Sequence, residues 1–136
     1  MVTPTLSPPE WTVMNICWRL GPATAREVHR RSLAERERDY RTIKTLLDRI
    51  VEKGYLRVEK RDGTNVYVPV AARRRTVAAA LDDFVDRVLD RKLAPLYLHL
   101  AERDDLSEEE AEFFRRQLER MEAGEREADE GEGAGR

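Results

Sequence analysis

The chain has 136 residues, of which 40% are hydrophobic and 38% charged, so it can form one or two small folded units with a heavily charged surface. The net charge of −2 conceals an uneven balance of +4 over residues 1–71, +2 over residues 72–101 and −8 over residues 102–136. A basic front with an acidic end is typical of a protein that meets phosphate at one end only. The single cysteine, Cys17, excludes an intramolecular disulfide and a cysteine-rich metal site.

Several other classes are excluded by missing motifs. The N-terminus lacks a basic stretch followed by an apolar run, and no apolar run approaches the roughly 18 residues that span a bilayer. We therefore expect a soluble, cytoplasmic protein. His29 and His99 lie far apart in the sequence and give no metal-ligand spacing. The sequence shows no glycine-rich phosphate loop, no Ser–His or Cys–His arrangement and no paired carboxylates in an apolar setting. We therefore expect that the protein is not an enzyme and binds no cofactor.

Three helices are predicted at the start of the chain. The capping box Ser7-Pro8-Pro9-Glu10 opens a helix from Pro8 to Leu20, which Gly21-Pro22 ends. A second capping box, Thr24-Ala25-Arg26-Glu27, opens a helix that runs to about Ala34. Asp39 is the predicted N-cap of the third helix, which ends at Gly54. Its apolar residues recur at helical spacing: Ile43, Leu46, Leu47, Ile50 and Val51.

The hydrophobic period changes from 3.6 to 2 after Gly54. Residues 56–60 alternate, residues 61–65 contain an Asp-Gly turn, and residues 66–68 resume the extended pattern, which indicates a β-hairpin. Three helices followed by a hairpin form a winged helix-turn-helix. We therefore predict a mainly α fold with a small β-hairpin wing and a DNA-binding domain over residues 1–71.

The second half is predicted to be helical. One helix runs from about Thr76 to Lys92, Pro95 forces a break, and a capping box at Ser107 opens a helix of about Glu108 to Met121. These helices cannot bury their apolar stripes within one small chain, so residues 72–122 are predicted to dimerise. The proposed dimer residues are Val77, Leu81, Phe84, Val88, Leu89, Phe114 and Leu118. Residues 123–136 carry no apolar side chain larger than alanine and are predicted to form a disordered acidic tail.

DNA recognition is predicted on the polar face of the third helix, because a helix fits the major groove and reads base edges near its N-terminus. A solvated amphipathic face is the alternative interpretation. Tyr40 is expected first as a packing residue, although its place at the start of the third helix also allows contact with DNA. Arginines of the second helix and of the turn add to this face. The candidates are Thr24, Arg26, Arg30, Tyr40, Arg41, Thr42, Lys44, Thr45, Arg49 and Arg61.

Three segments resemble the BlaI/MecI-type penicillinase and methicillin-resistance repressors. Residues 6–18, LSPPEWTVMNICW, resemble that family's first helix with its Glu-Trp-x-Val-Met-x-x-x-Trp pattern. Residues 41–55, RTIKTLLDRIVEKGY, resemble its recognition helix, and Val66-Tyr67-Val68-Pro69 resembles its second wing strand. The resemblance implies a homodimeric repressor on a palindromic operator, with DNA contacts at Arg41, Thr42, Lys44, Thr45 and Arg49.

The resemblance also implies a mode of induction. Members that answer β-lactams, and so regulate antibiotic resistance, are inactivated when a sensor-protease pathway cuts their dimerisation region at an Asn-Phe pair. His99-Leu100 stands at the corresponding place here and is the possible cleavage site. Copper-responsive relatives carry a C-terminal cysteine cluster, which this chain lacks. Two other functions stay open: a winged-helix module that binds protein, and a regulator that responds to a small molecule.

Overall fold

A computed structural model describes residues 4–35 and 38–134. The elements are α1 (Pro8–Leu20), β1 (Ala23–Thr24), α2 (Ala25–Ser32), α3 (Tyr40–Glu52), β2 (Leu56–Arg61), β3 (Thr64–Pro69), α4 (Arg73–Arg87), α5 (Ala94–Ala101) and α6 (Glu108–Ala134). This mainly helical chain with a β2–β3 hairpin is a winged helix-turn-helix, which confirms the predicted fold class. It divides into two compact units, residues 1–80 and residues 81–136.

The predicted caps begin the first three helices. The Ser7 N–H donates to Glu10 Oε1 at 2.8 Å, while the Ser7 hydroxyl accepts from the Glu10 N–H at 3.4 Å. The same reciprocal pair joins Thr24 and Glu27, with both distances 3.2 Å. Asp39 Oδ1 accepts from the Thr42 N–H at 2.7 Å, and this bond to the main chain lowers the pKa of Asp39. Each cap satisfies main-chain donors that a helix start leaves unpaired.

The wing belongs to a three-stranded antiparallel sheet in the order β1-β3-β2. The hairpin turn is two residues long, because Arg61 already pairs with Thr64. Asp62 and Gly63 have φ values of 50° and 76°, the left-handed pair that a type I′ turn requires. The two-residue β1 pairs with β3 and was not predicted, since a strand so short carries no periodicity.

One apolar core holds the first unit together. Val13, Met14 and Ile16 of α1 are at most 1% exposed, and Ile43, Leu47 and Ile50 of α3 are fully buried. Val28 contributes from α2, and Tyr67 and Leu56 contribute from the sheet. The Trp18 indole N–H donates to the Ala71 carbonyl at 2.9 Å, which fastens the chain after β3 to α1. The buried face of α3 therefore fixes which of its residues point outward.

A buried ion pair lies at the other end of α3. The Glu10 side chain is 2% exposed, and its Oε1 accepts from the Lys53 ammonium, which also donates to the Thr5 carbonyl at 2.8 Å. Burial pushes the pKa of Glu10 up, but hydrogen bonds from Lys53 and Ser7 outweigh it and leave the pKa below its ordinary value. The pair ties the N-terminal segment and α1 to the end of α3.

In the second unit, α5 and α6 pack against each other. The rings of Tyr97 and Phe114 lie 6.1 Å apart between centroids, and Ala101 is 4% exposed. In contrast, no residue of α4 is buried. The helix ends at Arg87, earlier than the predicted Lys92, and is followed by left-handed backbone at Asp90 and Arg91.

The last helix differs most from expectation. The residues expected to form a disordered tail continue α6 as far as Ala134, and residues 135–136 lie outside the described part of the chain. Glu and Ala account for seven of the twelve residues 123–134 and have high helix propensity, so a helix can continue without an apolar anchor despite three glycines. Across the described ranges, no helix is both long and apolar enough to cross a membrane.

Candidate nucleic-acid interface

The outer face of α3 presents polar side chains to solvent. Arg41, Thr42, Thr45 and Arg49 are exposed, opposite the buried Ile43 and its partners in the core. The Thr45 hydroxyl donates to the Arg41 carbonyl at 2.9 Å. Its proton is therefore engaged on its own helix, while its methyl group can contact a thymine methyl and its oxygen can still accept a hydrogen bond.

A cluster around Tyr40 joins α2 to the start of α3. The Arg26 guanidinium lies 5.9 Å from the centre of the Tyr40 ring, and the His29 ring meets the same ring edge-on at 5.8 Å. His29 Nε2 is 2.9 Å from the Arg38 carbonyl oxygen. Tyr40 is still 41% exposed, so it is held in position but remains accessible. Arg30 is exposed one helical turn after Arg26.

A groove of about 460 Å³ separates the start of α3 from the tip of the wing. Residues of α2, α3, β2 and β3 form its walls. Its lining consists of Thr24, Ala25, Arg26, Tyr40, Lys44, Lys60, Gly63, Thr64, Asn65 and Tyr67. Cations, hydroxyls and an amide thus surround one concave surface, the kinds of group that bind phosphates and base edges.

Lys44 is held at the floor of this groove. Its ammonium donates to both Asp48 carboxylate oxygens at 2.9 and 3.1 Å and to the Tyr67 hydroxyl at 2.7 Å. The Tyr67 hydroxyl in turn donates to Asp48 Oδ1 at 2.9 Å. Hydrogen bonds to Tyr67 and then to Asp48 raise the pKa of Lys44, so it carries its charge throughout the physiological range. Burial is the main cause of the raised pKa of Tyr67.

Arg61 occupies a different surface of the wing. Its guanidinium donates to Glu59 Oε2 at 2.8 Å, and Arg57 binds the other oxygen of the same carboxylate. Hydrogen bonds from Arg57 and Arg61 lower the pKa of Glu59. Since β-strand side chains alternate, Arg61 points away from the face that carries Lys60. Arg61 is exposed beside the turn but does not line the groove.

The groove unites four of the ten predicted residues, Thr24, Arg26, Tyr40 and Lys44, and Thr24 is half-buried in it. Sequence reasoning missed Lys60, Thr64, Asn65, Tyr67 and the partner Asp48. The turn was taken as residues 61–65, whereas the two-residue turn Asp62-Gly63 returns Thr64 and Asn65 to the strand. Taking the Asp-Gly pair alone as the turn would have placed Asn65 opposite Lys60 on one face.

The remaining cations of this surface are available for an external anion. Within residues 4–35 and 38–134, no carboxylate forms an ion pair with Arg26, Arg30, Arg41, Arg49 or Lys60. Five cations on α2, α3 and the wing are therefore not neutralised by the described residues. Such a surface attracts a polyanion and gives its binding a strong salt dependence.

The described part of the chain contains neither a metal-binding cluster nor a reactive thiol. No group of three or more His, Cys, Asp and Glu side chains there could hold a metal ion. Cys17 is 1% exposed in the core, and burial raises the pKa of its thiol to about 12. A thiol that stays protonated and enclosed acts as a small apolar packing group.

Apolar side chains remain exposed on and after α4. Leu81 is 55%, Phe84 41% and Val88 64% exposed, and the three lie on one side at helical spacing. The other predicted dimer residues, Val77, Leu89, Phe114 and Leu118, are partly buried. His99 is exposed and Leu100 partly buried within α5, which begins without a side-chain cap at Leu93.

Comparison with known proteins decides the family. The model of the penicillinase repressor family matches residues 6–120. The chain belongs to the penicillinase repressor family. It is 33% identical over 117 residues to the transcriptional regulator BlaI of Mycobacterium tuberculosis, covering 85% of this chain and 83% of that protein. It is also 28% identical over 110 residues to the methicillin resistance regulatory protein MecI of Mammaliicoccus sciuri, covering 81% and 89%.

Membership confirms the resemblance drawn from the sequence motifs. The family comprises transcriptional repressors and not enzymes, so this penicillinase repressor relative is a transcriptional regulator with a winged-helix DNA-binding fold. The match continues past the wing into the second compact unit, as far as residue 120.

Proposed function

We propose that this chain acts in the cytoplasm as a homodimeric repressor that binds a palindromic operator through α3 and the wing. The observation that carries the proposal is the groove of about 460 Å³ between α3 and the wing tip. Around it, Arg26, Arg41 and Lys60 form no ion pair with a carboxylate of the described residues. A protein-binding module would be better served by an apolar outer face on α3, whereas Arg41 and Arg49 are exposed there.

The residues have distinct proposed roles. Arg41, Thr42, Thr45 and Arg49 face base edges and neighbouring phosphates from α3, while Thr24, Arg26 and Arg30 contact phosphates from α2. Tyr40 packs between α2 and the backbone of the DNA, and Arg61 contacts phosphate from the edge of the wing. The exposed Leu81, Phe84 and Val88 support a dimer, because apolar side chains grouped on one helix face mark an association surface.

Relief of repression is proposed to follow a cut in the second unit. The His99-Leu100 bond lies within α5, and a protease reaches such a bond only when the helix opens. The missing N-cap at Leu93 favours that opening, because an uncapped start leaves main-chain donors unpaired. This pair differs from the Asn-Phe pair of the β-lactam-responsive members. We therefore propose no inducer for this chain and no role for it in antibiotic resistance.

DNA selection tests the proposal directly. Genomic fragments retained by the purified protein are sequenced, and the recovered operator is compared with a scrambled duplex by gel shift at several salt concentrations. If about six phosphates are neutralised, log affinity falls with log salt at a slope of about −5. A palindromic consensus bound far more tightly than the scrambled duplex supports the function. Equal affinity for both duplexes at physiological salt would contradict it.

A further inference from the structure

Lys44 is the one recognition-face cation in the groove that the described structure pins from two sides. Asp48, one turn further along α3, chelates its ammonium, and the Tyr67 hydroxyl binds it from β3. Tyr67 is 1% exposed and pairs with Val58 and Ala23 in the centre of the sheet. These contacts hold the Lys44 ammonium in a fixed position relative to the core, although the lysine side chain is itself flexible.

The pinned ammonium retains binding capacity. A lysine ammonium has three N–H donors, and the chelating carboxylate and the hydroxyl can be served by two of them. The Lys44 side chain is 36% exposed and lines the groove together with Lys60 and Asn65. One N–H donor of Lys44 is therefore left for a group that enters the groove.

We propose that Asp48 and Tyr67 are positioning residues that convert Lys44 from a general phosphate contact into a reader of guanine. The inference rests on the proposed operator binding. A free lysine is a mobile point charge that follows any phosphate, whereas a fixed donor discriminates between base edges. Guanine presents O6 and N7 as acceptors in the major groove, and a lysine donor is a common partner for them.

Asp48 adds a penalty against the wrong sequence. Its carboxylate is 54% exposed on the recognition face, so docking on DNA brings a negative charge close to phosphates. The cost is offset only where the pinned Lys44 finds its acceptor. A group that weakens binding to every DNA sequence increases specificity when only the correct sequence compensates for it. The acidic residue on a DNA-binding face, otherwise unexplained, thus has a function.

The experiment compares full-length variants on an operator in which every base pair is changed in turn. Lys44→Met first identifies the pair that Lys44 reads, as the G·C pair in each half-site whose preference disappears. Tyr67→Phe and Asp48→Asn are expected to reduce the preference at that same pair by at least about 5-fold and to leave other positions as in the wild type. Asp48→Asn is also expected to raise affinity for scrambled DNA, because a charge that repels phosphate is lost.

Two matched controls separate positioning from general effects. Tyr55→Phe removes another buried hydroxyl, which donates to the Pro4 carbonyl at 2.7 Å, well away from the groove lining. Asp83→Asn removes an acidic partner with the same i,i+4 spacing, bound to Arg87 at 2.9 Å on α4. Both are expected to keep the wild-type preference at every base pair.

Three results would overturn the inference. The first is that Tyr67→Phe and Asp48→Asn both keep the wild-type preference at the base pair that Lys44 reads. A second is an equal loss at all positions, which would mark a structural role. A third is a Lys44→Met protein that loses no base preference. If Tyr67→Phe does not fold, the exposed Asp48 carries the test alone. Wild-type protein that prefers no sequence contradicts the proposed function instead.

Discussion

At the scale of the residue, Glu10 combines a full negative charge with a side chain that is only 2% exposed. Its Oε1 is bonded to Lys53, while its Oε2 is buried without a hydrogen-bond partner among the described residues. A half-satisfied buried carboxylate depends strongly on the partner it has. The pair therefore makes the stability of the first unit sensitive to pH.

Glu10→Gln tests this dependence. Glutamine preserves the reciprocal cap with Ser7 but removes the charge, so the variant is expected to lose about 2 kcal/mol of unfolding free energy at pH 7. Because the folded pKa of Glu10 lies below its ordinary value of 4.5, the wild-type advantage is complete above that value and is lost as pH falls through the folded pKa. Urea unfolding of both proteins at pH 7 and pH 3 measures it. A gap of constant size at both pH values would show that the charge is irrelevant.

Individual residues of α3 and the wing are also expected to differ in what they contribute to DNA binding. Arg41→Ala and Thr45→Ala are expected to change sequence preference, since a lost base contact costs about 1–3 kcal/mol of discrimination. Arg61→Ala is expected to weaken binding to all sequences alike, because Arg61 lies outside the groove lining and contacts phosphate at most. Affinities for the operator and its single-base variants provide the measurement. The distinction fails if all three variants lose affinity with unchanged preference.

At the scale of the element, local chemistry sufficed to predict α1, α2, α3 and the hairpin. Caps, glycine stops and a change of period are written in neighbouring residues, so they need no tertiary information. The contacts of Lys44 and Asp48 with Tyr67 could not be predicted in this way, because Tyr67 lies 23 residues beyond Lys44 and meets it only in the folded state. The i,i+4 spacing of Lys44 and Asp48, in contrast, is visible in the sequence. The continuation of α6 was missed because weight was placed on apolar anchors rather than on helix propensity.

Two glycines allow α6 and the wing to be tested with one type of substitution. Gly124→Ala is expected to increase the helical circular dichroism signal, because alanine is about 1 kcal/mol more favourable than glycine inside a helix and nothing lies within 4 Å of the new Cβ. Gly63→Ala has equally open surroundings but a φ of 76°, so it is expected to destabilise the wing by about 1 kcal/mol. An unchanged dichroism signal for Gly124→Ala would instead favour the disordered tail.

At the scale of the whole molecule, operator binding depends on two winged helices acting together. Phe84→Asp places a carboxylate on the exposed apolar side of α4, where Phe84 is 41% exposed. If this side packs across a two-fold axis, the unpaired charge is buried twice, once from each protomer, and the dimer dissociates. Analytical ultracentrifugation is expected to show monomers of Phe84→Asp, and gel shift is expected to show weakened operator binding. The control Asp83→Asn, which removes a carboxylate from the same helix, is expected to stay dimeric. A stable Phe84→Asp dimer would refute this placement of the interface.

The consequence of losing the second unit follows from effective concentration. A chain that ends at His99 retains every residue of the apolar core, which lies between Leu6 and Ala71, so its winged helix is expected to fold. It lacks α6 and the end of α5, and with them the packing of Tyr97 against Phe114. The truncated chain keeps Leu81, Phe84 and Val88 but loses the other proposed dimer residues Phe114 and Leu118, and we expect the surface that remains to be too small to hold two protomers together. Each winged helix must then bind alone.

The truncated protein is therefore expected to bind the operator at least about 100-fold more weakly than the full chain, in the usual range of avidity gains. Binding to an isolated half-site is the matched control, and both proteins are expected to bind it equally, because one winged helix makes all of its contacts. Thermal unfolding followed by circular dichroism verifies that the truncated chain is folded. Equal affinities of the two proteins for the complete operator would mean that cleavage at His99-Leu100 cannot relieve repression.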